Sequence, residues 1–115
     1  MFKISELVFG KLIKEVGFYN ENVKKEFLKL KRKNPTLYRW VEKGMKKLER
    51  NPIVGIRIDP IPRYYLQHYP TIDNLWKLPL PKGWRLLYTI RMNAVRVISI
   101  VLEWPDHKTY ERRLR

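Results

Sequence analysis

Apolar positions in this chain repeat every three or four residues through much of its first half, and every second residue in its last third. Residues 1–13 admit two readings. Ile4, Leu7, Val8 and Leu12 fit a short helix, while the run from Leu7 to Ile13 also fits a strand. Lys14 to Tyr19 reads as a strand, with Val16 and Phe18 on one face. Asn20 then stands where a helix N-cap belongs, followed by acidic Glu21. Val23, Phe27 and Leu30 give a helical stripe that Asn34-Pro35 interrupts. Pro35 can open the next helix as its first residue, where its missing N–H costs nothing. Leu37, Val41, Met45 and Leu48 continue the helical period, with Trp40 and Gly44 as the alternative register, until Asn51-Pro52. These two segments predict an antiparallel helical hairpin with a very short turn.

Residues 52–81 hold six of the eight prolines, too many for regular structure throughout. Within them, Pro62 to Tyr69 has room for one or two helical turns. Leu75 to Leu80 reads as a short strand, whose Pro79 calls for an edge position or a bulge. Pro81-Lys82-Gly83 makes a turn. Trp84, Leu86, Tyr88 and Ile90 alternate with Arg85, Leu87, Thr89 and Arg91, and Met92-Asn93 is a tight hairpin connection. Ala94 to Trp104 is the longest predicted strand. It is apolar on both faces, hence central and covered by the helices on one side. The order gives an α+β fold. It consists of an N-terminal strand, an antiparallel two-helix hairpin and a three-stranded antiparallel meander, closed by a short C-terminal tail or helical turn. Residues 1–115 form a single domain, with 1–13 as an N-terminal extension.

A chain of 115 residues buries about two-thirds of its unfolded surface and needs no metal or disulfide to fold. It has no cysteine, no apolar run long enough to span a bilayer, and no signal-peptide pattern at its start. The expectation is a cytoplasmic protein. Charge changes the picture most. The net charge is +14, with +8 in residues 23–50 and +6 in residues 76–115. Two basic blocks on one small domain imply a polyanionic partner, nucleic acid first and an acidic protein second. The alternative is a lysine-rich solvated surface of the kind heat-adapted proteins carry.

The local motifs point further. Gly83-Trp84-Arg85-Leu86-Leu87-Tyr88 resembles the Gly-Tyr-Arg-Leu-x-Tyr strand of the RelE/ParE toxin superfamily of type II toxin–antitoxin systems. Leu75-Trp76-Lys77-Leu78 is similar to the strand that precedes it there. His107, Lys108 and Tyr110 resemble the closing His, basic residue and Tyr after the last strand. The resemblance spans roughly residues 14–114 and includes the element order. It implies a ribosome-associated endoribonuclease that cuts mRNA by metal-independent attack of the 2′-hydroxyl on phosphate. A cognate acidic antitoxin, partly disordered until bound, would neutralise it. Two positions depart from the family pattern. Pro79 stands where RelE has a second lysine, and His107 falls near its closing arginine. The alternative is a non-catalytic module: a ParE-like topoisomerase inhibitor, or a degenerate toxin that only binds RNA or an antitoxin.

Cleavage of RNA without a metal needs a base, an acid and cations to hold the phosphate. His107 is the acid–base candidate, because only histidine titrates near neutrality unperturbed. Tyr110 shares a helical face with it if Asp106 caps a turn, and would orient phosphate or base unless it packs over the sheet end. Arg85 and Lys77 fall on matching strand parity, on the sheet face away from the helices, where together they would grip a phosphate. Glu103 is either a carboxylate base or a salt-bridge partner for Arg85. Arg91, Lys82, Lys108, Arg112 and Arg113 are further candidate RNA contacts. His68 lies among Tyr64, Tyr65 and Tyr69. This group reads first as packing for the proline-rich connection, and second as an RNA-stacking lid with Arg63. No ligand set for a metal stands out, and no cofactor is expected.

Overall fold

The computed structural model describes residues 9–115. The helical or extended reading of residues 1–13 therefore falls largely outside the described residues. The described residues form an α+β fold with a five-stranded mixed sheet and four α-helices. The strands are β1 (Ile13–Phe18), β2 (Ile56–Arg57), β3 (Trp76–Pro79), β4 (Arg85–Met92) and β5 (Arg96–Glu103). The helices are α1 (Glu21–Lys33), α2 (Pro35–Arg50), α3 (Arg63–His68) and α4 (His107–Arg113). The sheet order is β1-β5-β4-β3-β2. β5 runs parallel to β1, and the remaining neighbours pair antiparallel. Among the described residues, no helix is long and apolar enough to cross a membrane.

One asparagine explains why the helical hairpin turns so tightly. The backbone N–H of Asn34 donates to the Leu30 carbonyl at 2.8 Å and closes α1. Its side-chain oxygen accepts from the Leu37 N–H at 3.1 Å and opens α2. Pro35 follows at the first helical position, as expected. Asn20 caps α1 by accepting from the Val23 N–H at 2.9 Å. The buried register of α2 runs through Leu37, Val41, Gly44 and Leu48, so Gly44 rather than Met45 faces the sheet. A Cβ at Gly44 would meet Leu86, Leu80 and Leu78 side chains at 3.2–3.4 Å, so the missing side chain lets the helix approach the strands closely.

The hairpin helices α1 and α2 cover one sheet face. Phe27, Leu37, Val41, Leu48, Leu78, Leu86, Tyr88 and Val101 form the core there. The opposite face is not left open at the β3–β4 end. Tyr65, Ile72, Leu75, Leu87, Leu102 and Tyr110 build a second cluster on it, under α3 and α4. The proline-rich connection therefore contributes a core layer, which its composition concealed. It also supplies β2, a strand the sequence pattern does not predict. β2 pairs with Trp76 and Lys77 only, so β3 is covered there, while Pro79, paired with Arg85 alone, keeps the edge position that a proline requires. β5 begins at Arg96, two residues later than the apolar pattern suggests, because Asn93 takes up the turn. Its backbone N–H donates to the Arg96 carbonyl and its side chain accepts from the Val95 and Arg96 N–H groups.

Tyr88 joins the sheet to the connection. Its fully buried hydroxyl donates to the Pro52 carbonyl at 2.7 Å and accepts from the Gly55 N–H at 3.1 Å. Tyr88→Phe leaves both groups without their partner. An expected loss of about 1–3 kcal/mol, read by urea unfolding, checks this; an unchanged midpoint means that water satisfies them instead.

Candidate functional site

Two strands and one short helix bring the candidate residues together. Lys77 lies opposite Leu87 in the β3–β4 ladder, and Arg85 opposite Pro79. Lys77 and Arg85 are thus diagonal neighbours on the face that carries the second cluster. α4 completes the group. Pro105 ends the β5 segment, and its carbonyl accepts from the Arg85 N–H at 3.1 Å. Asp106 then caps α4 by accepting from the Thr109 N–H at 2.8 Å. That hydrogen bond holds the Asp106 carboxyl below the usual range. The segment is therefore a helix rather than a loose tail, and it turns Tyr110 inward and His107 outward.

Tyr110 is 3% exposed and packs with Leu87 and Leu102. Lys77 Nζ stands 5.1 Å and the Arg85 guanidinium carbon 4.6 Å from its ring centroid. The ring face attracts both cations and offsets part of their mutual repulsion. Among the described residues, neither cation has a carboxylate partner. Arg85 instead reaches the Gly83 carbonyl through Nη1 and His107 Nδ1 through Nη2, the latter at 3.1 Å. A guanidinium has only donors, so His107 Nδ1 accepts, and the neutral ring carries its proton on Nε2. Nε2 lies 3.9 Å from Glu111 Oε1, one helical turn on, and both side chains are more than half exposed. Gly83 supports this arrangement. Its φ is +80°, and a Cβ there would stand 3.2 Å from the His107 Cβ.

Glu103 lies on the face of Arg85, as alternation with Trp104 implies, but its partners are others. Register shifts between Leu87 and Tyr88: Glu103 pairs with Leu87, and Val101 with Tyr88. Leu102 is the extra residue of a β-bulge, so Leu102 and Glu103 both serve the second face. The Glu103 carboxylate pairs with Arg113 and accepts from the Tyr69 hydroxyl at 2.7 Å. It makes no salt bridge with Arg85. Arg113 is likewise occupied, with its guanidinium 4.5 Å from the Tyr64 ring centroid. Burial opposes the Arg113 charge, but Glu103 outweighs it and raises the Arg113 pKa.

The remaining cations divide by position. Lys82 is exposed in the turn beside Gly83, at φ 59°. Lys108 and Arg112 are exposed on α4, and Arg112 leans on the Thr109 hydroxyl at 3.4 Å. Arg91 donates to the Thr71 carbonyl at 2.7 Å. It stands six residues along β4 from Arg85, about 20 Å away, and lies apart from the cluster. Glu111 was not evident from the sequence. Only the helical form of residues 107–113 places it one turn from His107. Among the described residues, no three His, Cys, Asp or Glu side chains gather to hold a metal ion. The site can thus hold an anion between Lys77 and Arg85, with the His107 ring beside it.

Compared with protein-family models, with curated proteins and with solved structures, the chain matches none.

The tyrosines of the second cluster give this region a pH limit. Burial, helped by Glu103, pushes the Tyr65 and Tyr69 hydroxyls well above the ordinary value of 10.0, and burial does the same for Tyr88. Above pH 10 the unfolded chain therefore releases protons that the folded protein keeps. The tyrosine contribution to stability is complete below pH 10 and is lost as pH rises beyond it. Melting temperature followed from neutrality into this range should fall above pH 10, and less steeply in Tyr69→Phe. Equal slopes in both proteins count against the Tyr69–Glu103 contact.

Proposed function

We propose that the chain is a RelE-like toxin, a ribosome-associated endoribonuclease that cleaves mRNA without a metal and is neutralised by an acidic antitoxin. The observation that carries this reading is the 3.1 Å contact between Arg85 and His107, residues 22 apart in sequence, beside an unpaired Lys77. Two cations without a carboxylate partner, next to a group that can move a proton, make a phosphodiester-shaped site. The strand and helix order, with β1 parallel to β5 and the helical hairpin between β1 and the later strands, supports the family resemblance of the motifs.

In this reading Arg85 and Lys77 hold the scissile phosphate. The 2′-oxygen bonds to phosphorus and the bond from phosphorus to the 5′-oxygen breaks. The phosphate replaces His107 Nδ1 as the acceptor for Arg85, Nδ1 gains a proton, and the imidazolium gives its Nε2 proton to the departing 5′-oxygen and returns to the neutral ring. Glu103 is engaged by Arg113 and Tyr69, so Glu111 replaces it as the carboxylate that takes the 2′-hydroxyl proton. The products are a 2′,3′-cyclic phosphate and a 5′-hydroxyl. Tyr110 acts as the floor that positions the cations.

His107→Ala and Arg85→Ala should each abolish growth arrest on expression and lower cleavage of ribosome-bound mRNA by at least about 100-fold. Wild-type activity in both variants sinks the proposed site. The exposed, shallow setting of His107 also favours a second reading, a ParE-like surface that binds without cutting. Inhibition of purified gyrase supercoiling, with no RNA cleavage, would select that one.

A further inference from the structure

Beyond the phosphate cluster, α3 and α4 assemble a column of flat groups. Tyr64 and His68 stack with ring centroids 3.9 Å apart and planes 18° from parallel. The Arg113 guanidinium stands 4.5 Å from the same Tyr64 centroid. Two planar groups that close to one ring cannot share a face, so Tyr64 is sandwiched between them. Arg113 is fixed in turn by Glu103, which Tyr69 also holds. At the other end, His68 Nδ1 lies 2.9 Å from the Tyr64 carbonyl. A carbonyl only accepts, so Nδ1 bears the proton and the imidazole is locked parallel to the tyrosine. His68 itself is exposed. The column thus ends in an oriented aromatic face with nothing stacked on it among the described residues.

We infer that His68 is the stacking platform for an unpaired nucleobase of the RNA whose backbone lies at Arg85 and Lys77. A base needs a rigid π-face, and stacking on it tolerates any sequence. Here the rigidity is supplied before binding, because the Tyr64 carbonyl sets the ring plane and the Arg113–Glu103 pair sets Tyr64. Position matches as well. His107 and Arg113 mark the two ends of α4, six residues or about 9 Å apart along its axis. One helix therefore spaces the phosphate cluster from the column, and a strand following α4 would meet both. Single-stranded RNA as the ligand rests on the function proposed above.

The chain has two histidines, so their ring protons are separable by NMR, with His68→Ala and His107→Ala giving the assignment. The probe is a 2′-O-methyl oligoadenylate, which cannot be cleaved, against an abasic oligonucleotide of equal length and charge. An upfield ring-current shift of the His68 protons with the oligoadenylate alone is expected. His68→Ala should weaken oligoadenylate binding about 5- to 100-fold, and His68→Phe should restore it, with melting temperatures unchanged. Equal His68 shifts with the abasic chain, or wild-type affinity in His68→Ala, overturn the platform. A base-dependent His68 shift in a protein whose His107→Ala and Arg85→Ala variants remain fully toxic keeps the platform and removes the proposed nuclease.

Discussion

Tyr110 fixes everything at the C-terminal end of the sheet. α4 has seven residues, too few to be stable on its own. It stays in place because the Tyr110 ring is buried against Leu87 and Leu102, with Asp106 capping the first turn. The same ring attracts Lys77 from β3 and Arg85 from β4. One side chain therefore docks the helix and gathers the cations. His107 follows from it: with Tyr110 turned inward and helical geometry set, the residue three positions earlier lies within reach of Arg85. A smaller residue at 110 would release the helix, the histidine and the charge pair at once.

A second arrangement decides which cations stay free. The α4 region and the strands before it are rich in arginine, and a well-placed carboxylate would neutralise any of them. The bulge at Leu102 turns Glu103 onto the second face, where Arg113 and Tyr69 hold it and it makes no salt bridge with Arg85. Without the extra residue, Glu103 would continue the alternation of β5 and face the helices. Glu103 and Arg113 are mostly buried, and their pairing removes two charges that burial would otherwise penalise. Arg85 and Lys77 are left with an aromatic face and no anion. The one-residue irregularity in β5 thus gives Arg113 its carboxylate and brings none to Arg85.

Period, caps and prolines made the α+β class, both long helices and the central position of β5 legible in the sequence. The Arg85–Lys77 parity was legible for the same reason, since alternation is a local property of a strand. What escaped depends on contacts between distant segments. Strand β2 is two residues long and exists through its pairing with Trp76 and Lys77. The second cluster draws Tyr65, Ile72 and Tyr110 from three segments with no common period. A bulge leaves no mark in a run such as Ser99 to Trp104, where every residue but Ser99 and Glu103 is apolar. Alternation with Trp104 therefore gave the face of Glu103, but neither that Leu102 shares it nor that Arg113 and Tyr69 are its partners. The tyrosines around His68 also divided in a way that composition could not foresee. Tyr65 packs inward with no exposure, while Tyr64 and His68 stack at the surface.

On the proposed reading, the two halves of the second face would take different tasks. At the His107 end of α4 the groups are cations and proton carriers, suited to a backbone that is the same in every RNA. At the Arg113 end they are flat rings, suited to bases. Phosphate contacts position a strand, whereas contacts to bases distinguish its residues. The helical hairpin carries the larger share of the net charge, yet it packs on the opposite face from α4. Only its first turn, through Asn22, Val23 and Glu26, shares a groove with Thr109 and Arg113 of α4, so on the proposed reading its lysines act on a bound strand chiefly through their field. That field raises the rate of encounter with a polyanion and weakens with salt. On the same reading, short-range contacts to a docked strand would come from the groups that Tyr110 and Glu103 hold in place.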